Sequence, residues 1–179
     1  MRIIAGDFKG RRLYTPNDKN VRPTSDKVRG AIFSILQDRM EGCVFCDLFA
    51  GTGGVGIEAL SRGAKFCYFG DHAQESISLL KKNVEHVGAQ DICSLTHGSF
   101  IKTLERIPEK VDIFFLDPPY EKGLIQQAVA AIKERDLLAE EGIIVCEHGK
   151  YETIADDLCG YRKVKEKKYG IVVLSLFMC

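Results

Sequence analysis

Apolar and polar positions along this chain fall into blocks whose period changes. From residue 43 onward, short apolar runs alternate with segments of helical spacing. Cys43-Val44-Phe45-Cys46-Asp47-Leu48-Phe49 reads as a strand, Gly51 to Gly56 as a glycine-rich turn and Ile57 to Ser61 as helix. Phe66-Cys67-Tyr68-Phe69 is a second strand, and Gln74 to Val87 a helix with Ile77, Leu80 and Val84 on one face. Asp91 to Thr96, Val111 to Leu116 and Ile143 to Glu147 are further strands, with a helix from Leu124 to Glu134. The fourth strand is almost wholly apolar, as a central strand covered on both faces would be. Tyr161 to Cys179 reads as two strands around Lys167-Lys168-Tyr169-Gly170.

The segment in front differs. Arg2-Ile3-Ile4 and Arg11-Arg12-Leu13-Tyr14 are short strand-like pieces flanking Gly6 to Gly10, a hairpin pattern. Thr15 to Pro23 reads as loop. Thr24 or Ser25 can cap a helix carrying Val28, Ile32, Phe33, Ile35 and Leu36. Repeated strand–helix alternation predicts an α/β fold: a mostly parallel, Rossmann-like sheet with helices on both faces and an antiparallel terminal pair. The expectation is one domain over 1–179, with a hairpin arm at 1–23 and a core at 24–179, a length that suits one hydrophobic core.

Composition narrows the classes. No apolar run approaches the ~18 residues of a membrane span, and the apolar start is too short for a signal peptide. Seven scattered cysteines, several inside apolar runs, suggest reduced, buried thiols and a cytoplasmic protein. Cys43 and Cys46 have C-x-x-C spacing without a second pair, so core packing is expected rather than metal. The isolated histidines (His72, His86, His97 and His148) add no metal set. Net charge is zero, but Arg2, Lys9, Arg11, Arg12, Lys19, Arg22, Lys27 and Arg29 stand against Asp7, Asp18 and Asp26 in the first 29 residues. A basic end on an acidic body suits a local anionic partner, with a solvated charged arm as the alternative. Lys163, Lys165, Lys167 and Lys168 fit either an extension of that face or a solvated hairpin.

Two motifs carry chemistry. The first is Asp47-Leu48-Phe49-Ala50-Gly51-Thr52-Gly53-Gly54-Val55-Gly56. Glycines after a strand let the backbone turn tightly and let a ligand approach. Gly51, Gly53 and Gly56 also satisfy G-x-G-x-x-G, so a nicotinamide or flavin cofactor enters the comparison. Asp47 tips the balance, because a carboxylate there opposes a pyrophosphate but suits the cationic ammonium and sulfonium of S-adenosylmethionine. Asp71, after the second strand, can hold ribose hydroxyls. Ser99 and Phe100, after the third, can meet an adenine. Phe49, Ala50, Gly51, Thr52, Gly53 and His72 complete the expected cofactor surface.

The second motif is Asp117-Pro118-Pro119-Tyr120, closing the fourth strand where open α/β sheets bind ligands. Two prolines remove two N–H donors. The Asp117 carboxylate and the Pro118 carbonyl leave an edge of acceptors, matched to an –NH2 group, and Tyr120 can stack on an unstacked base. These residues point to methyl transfer onto an amino nitrogen by positioning. An oxidoreductase has no use for this motif. A DNA-adenine enzyme would normally carry a target-recognition domain, and a protein-glutamine enzyme an asparagine at position 117. A non-catalytic assembly factor would not be expected to retain Gly51, Asp117 and Tyr120.

With both motifs in place, the chain resembles the bacterial small-subunit ribosomal RNA (guanine-N2)-methyltransferases from residue 1 to about 179. The resemblance is carried by Arg2-Ile3-Ile4-Ala5-Gly6, Lys9-Gly10-Arg11 with Leu13, Arg22-Pro23-Thr24 with Asp26 to Arg29, Phe33 and Leu36, Asp47 to Gly53, Gly56 to Ala64, and Asp117 to Tyr120. Arg22-Pro23-Thr24 and Leu60-Ser61-Arg62-Gly63 are its most specific parts. It implies a seven-stranded class I methyltransferase sheet, S-adenosylmethionine as donor, and guanine N2 in small-subunit RNA, or an assembly intermediate, as acceptor. It also implies an RNA face at the N-terminal hairpin and Arg22–Arg29, so Arg2, Lys9, Arg11, Arg12, Arg22, Thr24, Lys27 and Arg29 are the candidate RNA contacts. No metal, no membrane and no more than a monomer are expected. The family usually has Glu at the ribose position, then Asp two residues on, and Asp or Asn at the adenine position. Asp71, Ala73 and Ser99 depart from this, which predicts weaker cofactor binding.

Overall fold

A computed structural model describes residues 1–16, 24–120 and 122–179. Five parallel strands form most of one sheet: β1 Val44–Asp47, β2 Phe66–Asp71, β3 Cys93–His97, β4 Val111–Leu116 and β5 Leu138–Gly149. The sheet continues antiparallel through β6 Asp157–Leu158, β7 Tyr161–Tyr169 and β8 Val172–Met178. The order is β3-β2-β1-β4-β5-β8-β7-β6. Eight strands therefore replace the expected seven, the extra one being the two-residue β6 paired with the start of β7. A strand that short has no alternation to read. The third strand begins at Cys93, because Gln90–Ile92 form a 3-10 turn. β5 begins earlier than its apolar run, at Leu138, which pairs with Val111 across a bulge. The exposed Glu140 and Glu141 hide this start in the sequence.

Two apolar layers sandwich the sheet. Phe45, Phe69, Ile113, Phe115 and Val145 face α1 (Asp26–Leu36), α2 (Gly54–Ser61) and α3 (Gln74–Val87). Val44, Cys46, Tyr68, Phe114, Leu116 and Ile144 face α4 (Phe100–Leu104) and α5 (Leu124–Glu134). Alternate residues of one strand point to opposite layers. Cys43 and Cys46 accordingly lie in different layers, both buried as free thiols. No helix among the described residues is long and apolar enough to cross a membrane.

The N-terminal arm makes a narrower hairpin than expected, with one bridge, Arg2 to Arg12. It is not loose. Ile3 and Leu13 are buried in the core beneath α1 and α2. The Ile4 and Ala5 amides donate to the Glu58 carboxylate at 2.8 and 3.0 Å, and the Ser61 hydroxyl donates to the Ala5 carbonyl at 2.6 Å. Gly6, at φ +82°, lies where a Cβ would come within 1.6 Å of the Ser61 carbonyl oxygen. Only glycine lets the arm approach α2 so closely.

Candidate active site

The strand order reverses between β1 and β4, so the crevice beyond their C-terminal ends is open to a ligand. Acids end four neighbouring strands there: Asp47 on β1, Asp71 on β2, Asp117 just after β4 and Glu147 near the end of β5. Asp47 enters the glycine turn. Its Oδ2 accepts from the Gly56 amide at 2.9 Å, while its buried Oδ1 has no hydrogen-bond partner among the described residues. Gly53 begins α2 at φ +85°, and a Cβ there would come within 2.3 Å of Leu80, so the turn needs glycine twice over.

Asp71 braces the loop. Its Oδ2 accepts from Gly51 N and its Oδ1 from Ala73 N, both at 2.8 Å, which joins the glycine turn to the start of α3. Ala50 donates to the Gly70 carbonyl, and Asn83 donates to the Thr52 carbonyl at 2.9 Å, so the loop is held from below. His72 is exposed, its Nδ1 3.7 Å from the Asp71 carboxylate. Ser99 caps α4 by accepting from Lys102 N at 3.4 Å, which leaves its own O–H free to donate. Phe49 and Phe100 lie with ring centroids 5.9 Å apart beside it.

The acceptor edge is built at the ends of β4 and β5. These strands pair through Leu116 and Cys146, so Asp117 and Glu147 follow side by side. The Thr24 hydroxyl bridges them, 3.4 Å from Asp117 Oδ2 and 3.2 Å from Glu147 Oε2. The Tyr120 hydroxyl donates to Glu147, and its ring lies against Gly149, where a Cβ would be 3.2 Å away. Pro118 is buried, while Pro119 and Tyr120 face solvent.

Among the described residues no Lys or Arg pairs with Asp47, Asp117 or Glu147. Burial, then repulsion from Asp117 and Asp71, raises the Asp47 carboxyl to about 7 against the Gly56 hydrogen bond. Burial also raises Glu147 to about 7, against hydrogen bonds from Thr24 and Tyr120. Asp117 is pushed well above the carboxylate range by burial and by Glu147, against the hydrogen bond from Thr24. An uncompensated acidic crevice repels a pyrophosphate and attracts cations. The orphaned Asp47 oxygen fits an ammonium group, and Asp71 keeps lone pairs for ribose hydroxyls. The donor set therefore fits S-adenosylmethionine and does not fit a dinucleotide.

The basic residues separate into two groups. Arg2, Lys9, Arg11, Arg12 and Lys27 are exposed. Arg29, expected at the RNA face, is completely buried. Its Nη2 donates to the Arg2 carbonyl at 2.6 Å and to Asp26 at 2.8 Å, and its Nη1 lies 3.9 Å from Glu58. The reason was visible in the spacing: residue 29 stands three, four and seven positions before Ile32, Phe33 and Leu36, on the buried stripe of α1. Thr24 is likewise reassigned, since Ser25 caps α1 and leaves the Thr24 hydroxyl to the two acids. Arg22 and Pro23 lie outside the described residues. Glu147 escaped the sequence reading, although an apolar run ending in an acid is the same signal that marked Asp47 and Asp117.

A family model described as "Conserved hypothetical protein 95" matches residues 1–178. Ribosomal RNA small subunit methyltransferase D of Haemophilus influenzae is 32% identical over 181 residues, which cover 99% of this chain and 93% of that protein. The chain belongs to this methyltransferase family. YlbH of Bacillus subtilis is also 32% identical, over 99% of this chain and 98% of its own length. Among solved structures, the Escherichia coli protein yhhF superposes with a TM-score of 0.88 at 28% identity, covering 99% of this chain and 96% of that one. This similarity agrees with a class I methyltransferase fold, and the enzyme's arm, glycine turn and acceptor edge all fall within the matched length.

Proposed function

We propose that this enzyme transfers a methyl group from S-adenosylmethionine to the exocyclic N2 of a guanine in small-subunit ribosomal RNA. When bound, S-adenosylmethionine supplies an electrophilic methyl group on a cationic sulfonium. Asp47, Phe49, Ala50, Gly51, Thr52 and Gly53 would hold its amino-acid end. Asp71 and His72 border the ribose position, and Ser99, Phe49 and Phe100 the adenine position. The observation that carries the reading is an acceptor edge, Asp117 with the Pro118 carbonyl, at the switch point beside a buried, half-unpaired Asp47.

The protein's own contribution is orientation and charge. Asp117 and the Pro118 carbonyl accept both amine hydrogens, which draws the nitrogen toward tetrahedral geometry and frees its lone pair from the ring. Tyr120 offers a stacking surface for a base taken out of its own stack. Asp117 need not be a strong base, because the methylated amine loses its proton readily. The exposed Arg2, Lys9, Arg11, Arg12 and Lys27 supply phosphate contacts that position RNA without reading its sequence. Arg22 is proposed to join them. The small-subunit names of the relatives support this choice of acceptor.

Radiolabelled methyl transfer to small ribosomal subunits from a strain lacking the endogenous activity, followed by nucleoside analysis, tests the proposal. Label in N2-methylguanosine is expected. Label on adenosine or on protein would overturn the acceptor.

A further inference from the structure

Glu147 is buried, 4% exposed, and no salt bridge among the described residues neutralises it. Thr24 and Tyr120 give it hydrogen bonds but no positive charge, so a buried carboxylate at the mouth of a binding site still gains from a ligand that offers it a hydrogen. Thr24 and Tyr120 aim it at the same crevice as Asp117. Two carboxylates side by side present two adjacent sets of acceptors. The Watson–Crick edge of guanine presents the matching donors, N1–H beside N2–H2. Adenine does not match, since its amine neighbours a bare N1 lone pair that a carboxylate repels. Bases extruded into enzyme pockets are read along this edge.

We propose that Glu147 is the specificity-determining residue of this site: its carboxylate accepts the N1–H of the guanine whose N2 amine is held by Asp117 and the Pro118 carbonyl. The inference rests on the methyltransferase reading above and adds to it the means by which guanine is chosen. No bond changes at Glu147; it selects and orients the base, while Asp117 holds the reacting nitrogen.

The test uses 2-aminopurine, which keeps the 2-amine but carries an unprotonated N1. Small subunits are reconstituted with RNA bearing guanine or 2-aminopurine at the position the wild-type enzyme methylates. Wild type is expected to favour guanine by at least about 100-fold in kcat/KM, because a site built for a donor rejects a base lacking it. Glu147→Gln places an amide there that donates to a bare N1. It is expected to lose guanine turnover, gain 2-aminopurine turnover and bring the two within about 10-fold. Glu147→Asp, which keeps the carboxylate, is expected to be slower on both and still prefer guanine. Equal use of the two bases by wild type overturns the assignment, as does an equal loss on both in Glu147→Gln, the result of a purely structural role. Thermal melting and S-adenosylmethionine binding of each variant separate misfolding from lost recognition. Absence of label on guanine with wild type would overturn the parent reading and this inference with it. Guanine label with no discrimination overturns this inference alone.

Discussion

Arg29 and Glu58 are both fully buried, and each is answered: the arginine by Glu58, Asp26 and two backbone carbonyls, the glutamate by Arg29, Arg62 and the amides of Ile4 and Ala5. Asp47 and Glu147, at the far ends of β1 and β5, are buried, and Asp117, just after β4, is half-buried, all with no cation among the described residues. In the first region charge fastens the arm to the glycine-turn helix, and the opposite charges meet within the protein, although the Arg29 Nε has no hydrogen-bond partner among the described residues. In the second it stays open, and on the proposed function the missing positive charge belongs to ligands. The difference separates structural from functional charge more sharply than any count of acids or bases.

Asp117→Ala is expected to break the open side most completely. Methyl transfer to subunits should fall at least about 1,000-fold, the scale of losing a positioned group, while cofactor affinity by calorimetry changes little; near-full turnover would remove Asp117 from its role. Arg29→Ala tests the closed side. It strands Glu58 and should cost about 3 kcal/mol in denaturant unfolding, and a loss below about 0.5 kcal/mol would mean that Arg62 alone suffices.

Asp47→Asn should move two measurements in opposite directions. S-adenosylmethionine affinity should fall about 10- to 100-fold, the worth of one charge-assisted hydrogen bond, while the free protein becomes more stable at pH 8. The sign follows from linkage. Asp47 and Glu147 titrate near 7 when folded, against 3.8 and 4.5 as their ordinary values. Their contribution to stability is fully present below about pH 4 and is lost as pH rises through 7. Binding of a cation favours the ionised form, so cofactor affinity should rise over the same window. A flat affinity from pH 6 to 8 would detach Asp47 from the ammonium. Asp71→Asn should instead destabilise by about 1 kcal/mol, because one of two satisfied backbone amides then faces an NH2 group.

The smallest effect belongs to the surface. Arg11→Ala and Arg12→Ala should leave unfolding within about 0.5 kcal/mol of wild type and reduce the slope of RNA affinity against salt by about 1 each. Unchanged slopes would move the RNA face elsewhere.

The parallel sheet, both chemical motifs and the buried Cys43 and Cys46 were legible because each is local, whereas Cys93 and Cys159 are half-buried and Cys179 is exposed. An apolar run closed by Asp47 or Asp117, or a glycine turn after a strand, states its conformation within ten residues. Arg29 was read by its charge when its position on the α1 stripe was the better guide. Thr24 was read with its basic neighbours, although its hydroxyl meets acids 93 and 123 residues away. Glu147 closes an apolar run as Asp47 and Asp117 do, but its pairing with Asp117 exists only when β5 is laid beside β4, which places together two like charges, both of them raised. The sequence by itself determined which strands and turns could form, and which residues could do chemistry. The tertiary structure alone decided which charges would be neutralised by the protein and which left for a ligand, because neutralisation depends on distances across strands that no local pattern encodes.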